Sequence, residues 1–218
     1  MRPILRSLLL LGVTLLGAGP ARAATVFSTF GLADAFNVSA GWTLSLNSPF
    51  DGSSVFQGDQ FTPGSAFSLD RVELAAGLVT GPNELDVRLM SDNAGSPGNL
   101  IEVWHFSGAL GPLGGANSLL GADSALNPVL QPGTAYWLVA APSHSGTHAA
   151  WNLNAIGASG LHAASINGNP FNVSSNAPGA FRILGTPFAG GPHIPEPSSL
   201  ALLGFGAAAV WLRRQRRG

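Results

Sequence analysis

The sequence contains no cysteine and no lysine, and only a single tyrosine. Without thiols there is no disulfide framework, no thiolate metal site and no cysteine nucleophile, so stability has to come from packing. Without lysine there is neither a Schiff-base amine nor a phosphate-binding P-loop, and no serine stands in a Gly-x-Ser-x-Gly frame. Charge is scarce and unevenly placed. The whole chain carries a formal −1, yet between Ala24 and His193 ten acids face only three arginines (Arg71, Arg88 and Arg182), a net −7. A segment this acidic lacks the basic footprint of nucleic-acid binding, and no nucleic-acid partner is expected. Long apolar runs are confined to the two ends, and nothing between them shows a helical period.

The first end, residues 1–23, has the three parts of a secretory signal peptide. Arg2 and Arg6 supply the positive start, Leu8 to Leu16 the apolar core, and Ala21-Arg22-Ala23 the small-residue site that predicts cleavage between Ala23 and Ala24. Export through the Sec machinery is the expectation.

The other end, residues 194–218, is the stretch around which the chain is organised. It joins a stiff polar motif (Pro195, Glu196, Pro197), an apolar segment at about 198–212 and a basic tail at 213–217 containing Arg213, Arg214, Arg216 and Arg217. The prolines disfavour helix and keep Glu196 extended and accessible. The uncharged run from Leu200 to Leu212 suits a helix in lipid, and the arginines hold its far end on the cytoplasmic side. Thirteen helical residues reach only about 20 Å, short of a hydrocarbon core of about 30 Å. Such a marginal span fits a temporary stop; a plain C-terminal membrane anchor is the alternative. The order Pro195-Glu196-Pro197, Ser198-Ser199-Leu200-Ala201-Leu202-Leu203-Gly204 and terminal arginines resembles the PEP-CTERM sorting signal of envelope proteins. That resemblance implies an exosortase, a membrane-embedded cysteine protease-transpeptidase, as the partner that removes the tail and attaches or releases the rest outside.

Between the ends, short apolar-periodic runs are separated by Gly, Pro, Ser and Asn clusters, the punctuation of strands and turns. Glu84 to Met90 is the cleanest: Leu85, Val87 and Leu89 alternate with Glu84, Asp86 and Arg88. Ala66 to Ala75 changes phase after Leu69, which predicts a bulge near Asp70. Asn99 to Phe106 and Thr134 to Ala140 are apolar on both phases and read as central strands. Trp42 to Leu46, Val55 to Phe61, Ala149 to Leu153, Leu161 to Ile166 and Phe181 to Leu184 complete about ten candidates. Gly108 to Gly121 reads as a long loop. The expected architecture is an all-β antiparallel β-sandwich, jelly-roll-like, over residues 24–187, with Phe61, Phe67, Trp104, Trp137 and Trp151 inside and a linker at 188–193.

A second likeness rests on Val55 to Thr62, Phe67 to Leu74, Val87 to Gly98 with its Ser-Asp-Asn-x-Gly-Ser-Pro-Gly hairpin, and Thr134 to Val139. These stretches are similar to the choice-of-anchor R family, surface domains that share a body and differ in their sorting tails. The likeness spans about Gly52 to Leu153 and implies a β-rich extracellular module with no established chemistry.

Tests for chemistry return little. Asp92, Asn93 and Asn99 offer oxygens of the kind calcium takes, but their spacing does not fit a calcium loop, and turn formation accounts for them. His144 and His148 sit in a Gly/Ser/Pro-rich loop, so four-residue spacing does not align them; His105 and His162 read as structural. Glu84, Asp86, Glu73 and Asp70 read as solvated strand faces, and no pair of acids is singled out for glycoside hydrolysis. No metal, cofactor or catalytic residue is expected, and the chain is not expected to be an enzyme. The expectation is an exported surface or extracellular-matrix structural protein, briefly held at the inner membrane and then placed at the cell surface or outside. The alternative is a carbohydrate-binding module acting on biofilm exopolysaccharide through Trp42, Tyr136 and Trp151, provided two of them share an exposed face.

Overall fold

The computed structural model describes residues 23–115 and 118–188. The expectations for residues 1–22, for the linker beyond Phe188 and for the sorting tail lie outside the described residues, as does Ala116–Asn117. Fourteen strands are present among the described residues: β1 (Ala24–Ser28), β2 (Phe36–Ser45), β3 (Val55–Phe61), β4 (Phe67–Thr80), β5 (Glu84–Asn93), β6 (Ser96–Ser107) and β7 (Gly111–Pro112), followed by β8 (Ser118–Asp123), β9 (Val129–Leu130), β10 (Tyr136–Pro142), β11 (His148–Asn154), β12 (Gly160–Ile166), β13 (Asn172–Asn176) and β14 (Phe181–Pro187). A 3-10 turn at Leu32–Asp34 is the only helical element among them. No helix among the described residues is long and apolar enough to cross a membrane.

The strands form one curled sheet along the path β1-β14-β4-β11-β2-β3-β10-β5-β6, with β12 and β13 added beside β3 and with β7, β8 and β9 on β4. Every pairing is antiparallel except the short β4–β7 contact. The single register pair Ser45↔Val55 joins the two halves. Curling brings Phe61, Leu85, Val87, Leu89, Trp104 and Leu138 from one half against Leu44, Leu69, Val72, Leu74, Trp151 and Phe181 from the other, in one core.

Alternation of apolar residues explains which faces meet. On β5, Leu85, Val87 and Leu89 are fully buried while Glu84, Asp86 and Arg88 are only half-buried, as the period of two requires. The bulge is where the phase change puts it: Leu184 opposes Arg71 and Gly185 opposes Leu69, so Asp70 has no opposite number. Extra residue and phase switch are one event, since Leu69 stays buried and burial resumes at Val72 and Leu74. β10 is buried along its whole length, as a central strand should be. Its second face, Trp137 and Val139, packs with Ala163, Met90, Phe171 and Val173 in a smaller cluster outside the main core.

Three sequence readings are corrected. β6 is an edge strand, bonded only to β5. A bulge at Ile101 lets Glu102 and Trp104 point inward while Leu100 and Val103 stand about half exposed, so apolarity on both phases did not mark a centre here. Gly108 to Gly121 is not a plain loop, because it contains β7 and the start of β8, whose backbone pairs with Arg71 to Ala76 and carries Leu120 into the core. Phe67 is half-buried, whereas Phe61, Trp104, Trp137 and Trp151 are interior as expected.

The β5–β6 hairpin closes on a two-residue turn, Ala94-Gly95, with φ of 52° and 82°. That left-handed pair is the twist-matched hairpin turn that favours Asn-Gly, and Ala94 holds a φ that costs an L-residue about 1–2 kcal/mol. Replacing Ala94→Asn is expected to raise the unfolding free energy by about 0.5–1 kcal/mol, read from the shift of the urea midpoint at constant slope. A lower midpoint would count against this turn.

Candidate functional site

Gln57, Asp59 and Phe61 share one face of β3, the face turned toward the core. A core-facing carboxylate needs partners, and β12 supplies one by placing His162 directly opposite Asp59 in the register. His162 Nδ1 lies 2.8 Å from Asp59 Oδ1, and its Nε2 lies 2.9 Å from Gln57 Oε1. Gln57 Nε2 donates to the Thr43 carbonyl at 3.0 Å, which turns its amide oxygen toward the ring. Nε2 thus faces an acceptor oxygen, and Nδ1 faces the Asp59 carboxyl. The second carboxylate oxygen accepts from Gly179 N–H at 2.8 Å. Trp42 stacks on the imidazole at 4.2 Å between centroids and donates its indole N–H to Ala177 O.

Asp59 is fully buried, and burial pushes its carboxyl above the ordinary range; His162 and the Gly179 N–H pull the other way without cancelling that effect. The geometry is not that of a nucleophile and its base: Nε2 is taken by an amide oxygen, and the ring is 3 % exposed. The unit instead clamps β2, β3, β12 and the segment before β14 together. Gly179 is fixed in kind, because a Cβ there would meet the Trp151 indole at 2.5 Å.

The sequence-predicted residues are placed as follows. Asp92, Asn93 and Asn99 do line one hollow of about 340 Å³ at the hairpin. Asp92 is already engaged, by Trp137 Nε1 at 2.8 Å and Gln60 Nε2 at 3.0 Å on one oxygen and by Gly95 N–H on the other. Burial alone would raise its pKa; these three donors outweigh it and hold the carboxyl below its ordinary value. No group of three or more metal-ligating side chains stands together among the described residues. His144 bonds the Ser145 carbonyl, and His148 bonds Ser48 and meets the Phe50 ring edge, so the two histidines serve separate local contacts.

The reading of Glu84, Asp86, Glu73 and Asp70 as solvated faces is corrected. Glu73 accepts from both Arg71 and Arg182, with its side chain 12 % exposed, and the two arginines extend the network to Asp123 and Asp34. Asp70 accepts from Thr186, and Glu84 and Asp86 hold His105 between them. The aromatic platform for a sugar is corrected too: Tyr136 and Trp151 are buried, and Trp42 is occupied by His162. A second hollow, about 430 Å³ and without a charged residue in its lining, opens beside Phe27, Thr62, Ser159 and Leu161.

β14 ends at Pro187, and Phe188 N–H bonds the Ala66 carbonyl, so the fold delivers the chain to its tail beside the start of β4. Residues 193–217 match the model of the PEP-CTERM protein-sorting motif. The chain carries a PEP-CTERM signal. Such a signal marks a substrate of an exosortase and implies export, processing at the membrane and surface placement. The match covers the polar, apolar and basic parts read above, from His193 through Arg217. No curated protein matches the chain.

The polar clamp was not singled out from sequence, although two polar residues on the interior phase of a strand, Gln57 and Asp59, are the signal that would have found it. Asp59→Ala leaves His162 without its carboxylate and should cost about 3–5 kcal/mol in chemical unfolding. A carboxyl raised in the folded state stabilises the fold below its unfolded pKa, and this contribution falls away as pH rises through the raised value. Asp59→Asn, which keeps the shape, should remove that part of the pH dependence; an unchanged profile refutes the assignment. His105 is raised above an ordinary histidine, first by its hydrogen bond to Asp86 and then by Glu84. Its stabilisation is complete below the unfolded histidine pKa and is lost as pH rises through the folded one. NMR titration should show His105 moving down toward its ordinary value in Asp86→Asn, and no movement would separate the two groups.

Proposed function

We propose that this chain is a non-enzymatic surface or matrix structural protein, exported by the Sec machinery on the signal peptide at residues 1–23, with cleavage between Ala23 and Ala24. The curled sheet is a jelly-roll-like sandwich that serves as the delivered module, and its likeness over Gly52 to Leu153 to choice-of-anchor R domains supports that assignment. The observation that carries the proposal is the match of residues 193–217 to the PEP-CTERM motif directly after a domain whose polar interior groups are spent on structure.

In this reading Glu196 is what the exosortase recognises, held extended by Pro195 and Pro197. The apolar segment at about 198–212 enters the membrane as a helix, and Arg213, Arg214, Arg216 and Arg217 keep its end cytoplasmic. A span this short is held weakly, and its transfer to the processing enzyme costs little. Association with biofilm exopolysaccharide would then follow from surface placement rather than from an aromatic binding platform.

Glu196→Ala is expected to leave the protein full length in the membrane fraction, while the parent chain appears as a shorter species ending near Pro195. Immunoblotting of fractions together with mass spectrometry of the mature C-terminus reads this directly. Unchanged processing in the variant would overturn the role of Glu196.

A further inference from the structure

Three loops are tied together where the chain leaves the domain, and a fourth lies at the same end of the strands. Phe188 N–H bonds Ala66 O in the loop at 62–66, and Gly133 N–H bonds Pro63 O, bringing in the loop at 131–135. Leu69 N–H bonds Pro128 O, which attaches the loop at 124–128 to the same end of β4. The Ala94-Gly95 turn lies at the same end of the strand order, because β5 there runs beside Tyr136 of β10, whose other neighbour is Phe61. None of these four loops contains a charged residue. In a segment of net −7 this is a marked gap, since anionic lipid repels acids at close range. Three acids stand next to these loops and each is engaged: buried Glu102 accepts from Ser124, Ala125 and Leu126, Asp92 accepts from Trp137, Gln60 and Gly95, and Asp123, whose side chain is exposed, is paired with Arg71. Two large apolar side chains are exposed at this end, Leu126 at 65 % and Phe188 at 50 %.

Ala24, the first residue of β1, opposes Gly185 of β14, so both chain ends leave the domain from this pole. Only residues 189–197 separate Phe188 from the apolar segment, and nine residues extend to about 30 Å at most. The opposite pole carries Asp51 and His144 in its loops and the Glu84–Asp86–His105 cluster beside them.

We propose that the uncharged pole built from 62–66, 94–95, 124–128 and 131–135 lies against the phospholipid surface while the tail is embedded, leaving the charged pole to face outward. This rests on the sorting reading above. A short tether sets the distance, exposed Leu126 and Phe188 supply interfacial contact, and missing charge removes the repulsion the rest of the domain would meet.

The absence of cysteine makes the test direct. In the full chain reconstituted into phospholipid vesicles, Ser65→Cys at this pole and Ser145→Cys at the other are labelled singly with a fluorophore, and a quencher is attached to the lipid headgroups. The poles stand about 20 Å apart along a seven-residue strand, so quenching at 65 should exceed that at 145 at least about twofold. Leu126→Asp should reduce quenching at 65 while the protein still sediments with the vesicles. Equal quenching at both sites, or stronger quenching at 145, overturns the orientation with the sorting reading intact. Protection at 65 that appears only when the processing enzyme is added assigns the pole to that enzyme and also overturns the proposal. Failure to sediment with vesicles defeats the sorting reading itself, and the orientation with it.

Discussion

The structure depends on the hydrogen-bond demands of one long strand. β4 runs for fourteen residues and is bonded along its length to β14, β8, β9, β11 and β7. A strand that long cannot leave its backbone groups unpaired in an interior, and a chain without cysteine has no covalent alternative. The neighbours of β4 change partway along because the sheet must curl, and the bulge at Asp70 supplies local bending while keeping Leu69, Val72 and Leu74 all facing the core. Pairing on β4 thus sets which residues meet across the sheet, and the apolar core follows.

At the seam between the two halves the chain uses polarity instead of more hydrocarbon. Where β3 joins β12 and faces β2, the inward positions are Gln57, Asp59 and His162, with Trp42 closing over them. An apolar seam could tolerate a slip in register; a buried carboxylate that needs one imidazole nitrogen and one particular N–H cannot. Fully satisfied networks of this kind fix a single arrangement even where their net contribution to stability is small. That explains why an acid and a histidine occur in the interior of this domain.

Strand content was legible in the alternation of Leu85, Val87 and Leu89, in the phase break at Asp70, and in the unbroken apolar run from Tyr136, all readable from residue type alone. The misreadings share a cause. β8 lies in glycine-rich sequence and is defined by backbone pairing to β4, which leaves little mark on composition. β6 is apolar on both phases because it is an edge whose outer face exposes Leu100 and Val103, a pattern identical in sequence to that of a central strand. The clamp went unread because Asp59 and His162 are more than a hundred residues apart, and only their cross-strand register makes them partners. The sorting motif is the opposite case: polar, apolar and basic parts are contiguous, so the signal survives without any fold.

Pairing of residue 24 with residue 185 bears on the order of assembly during export. A chain threading through a membrane from its amino end releases β1 first, yet β1 has no bonding partner until β14 has followed almost the whole domain across. The sheet margin nearest the tail is therefore sealed last, by contacts of the highest sequence separation in the molecule, and every earlier intermediate carries an open border there.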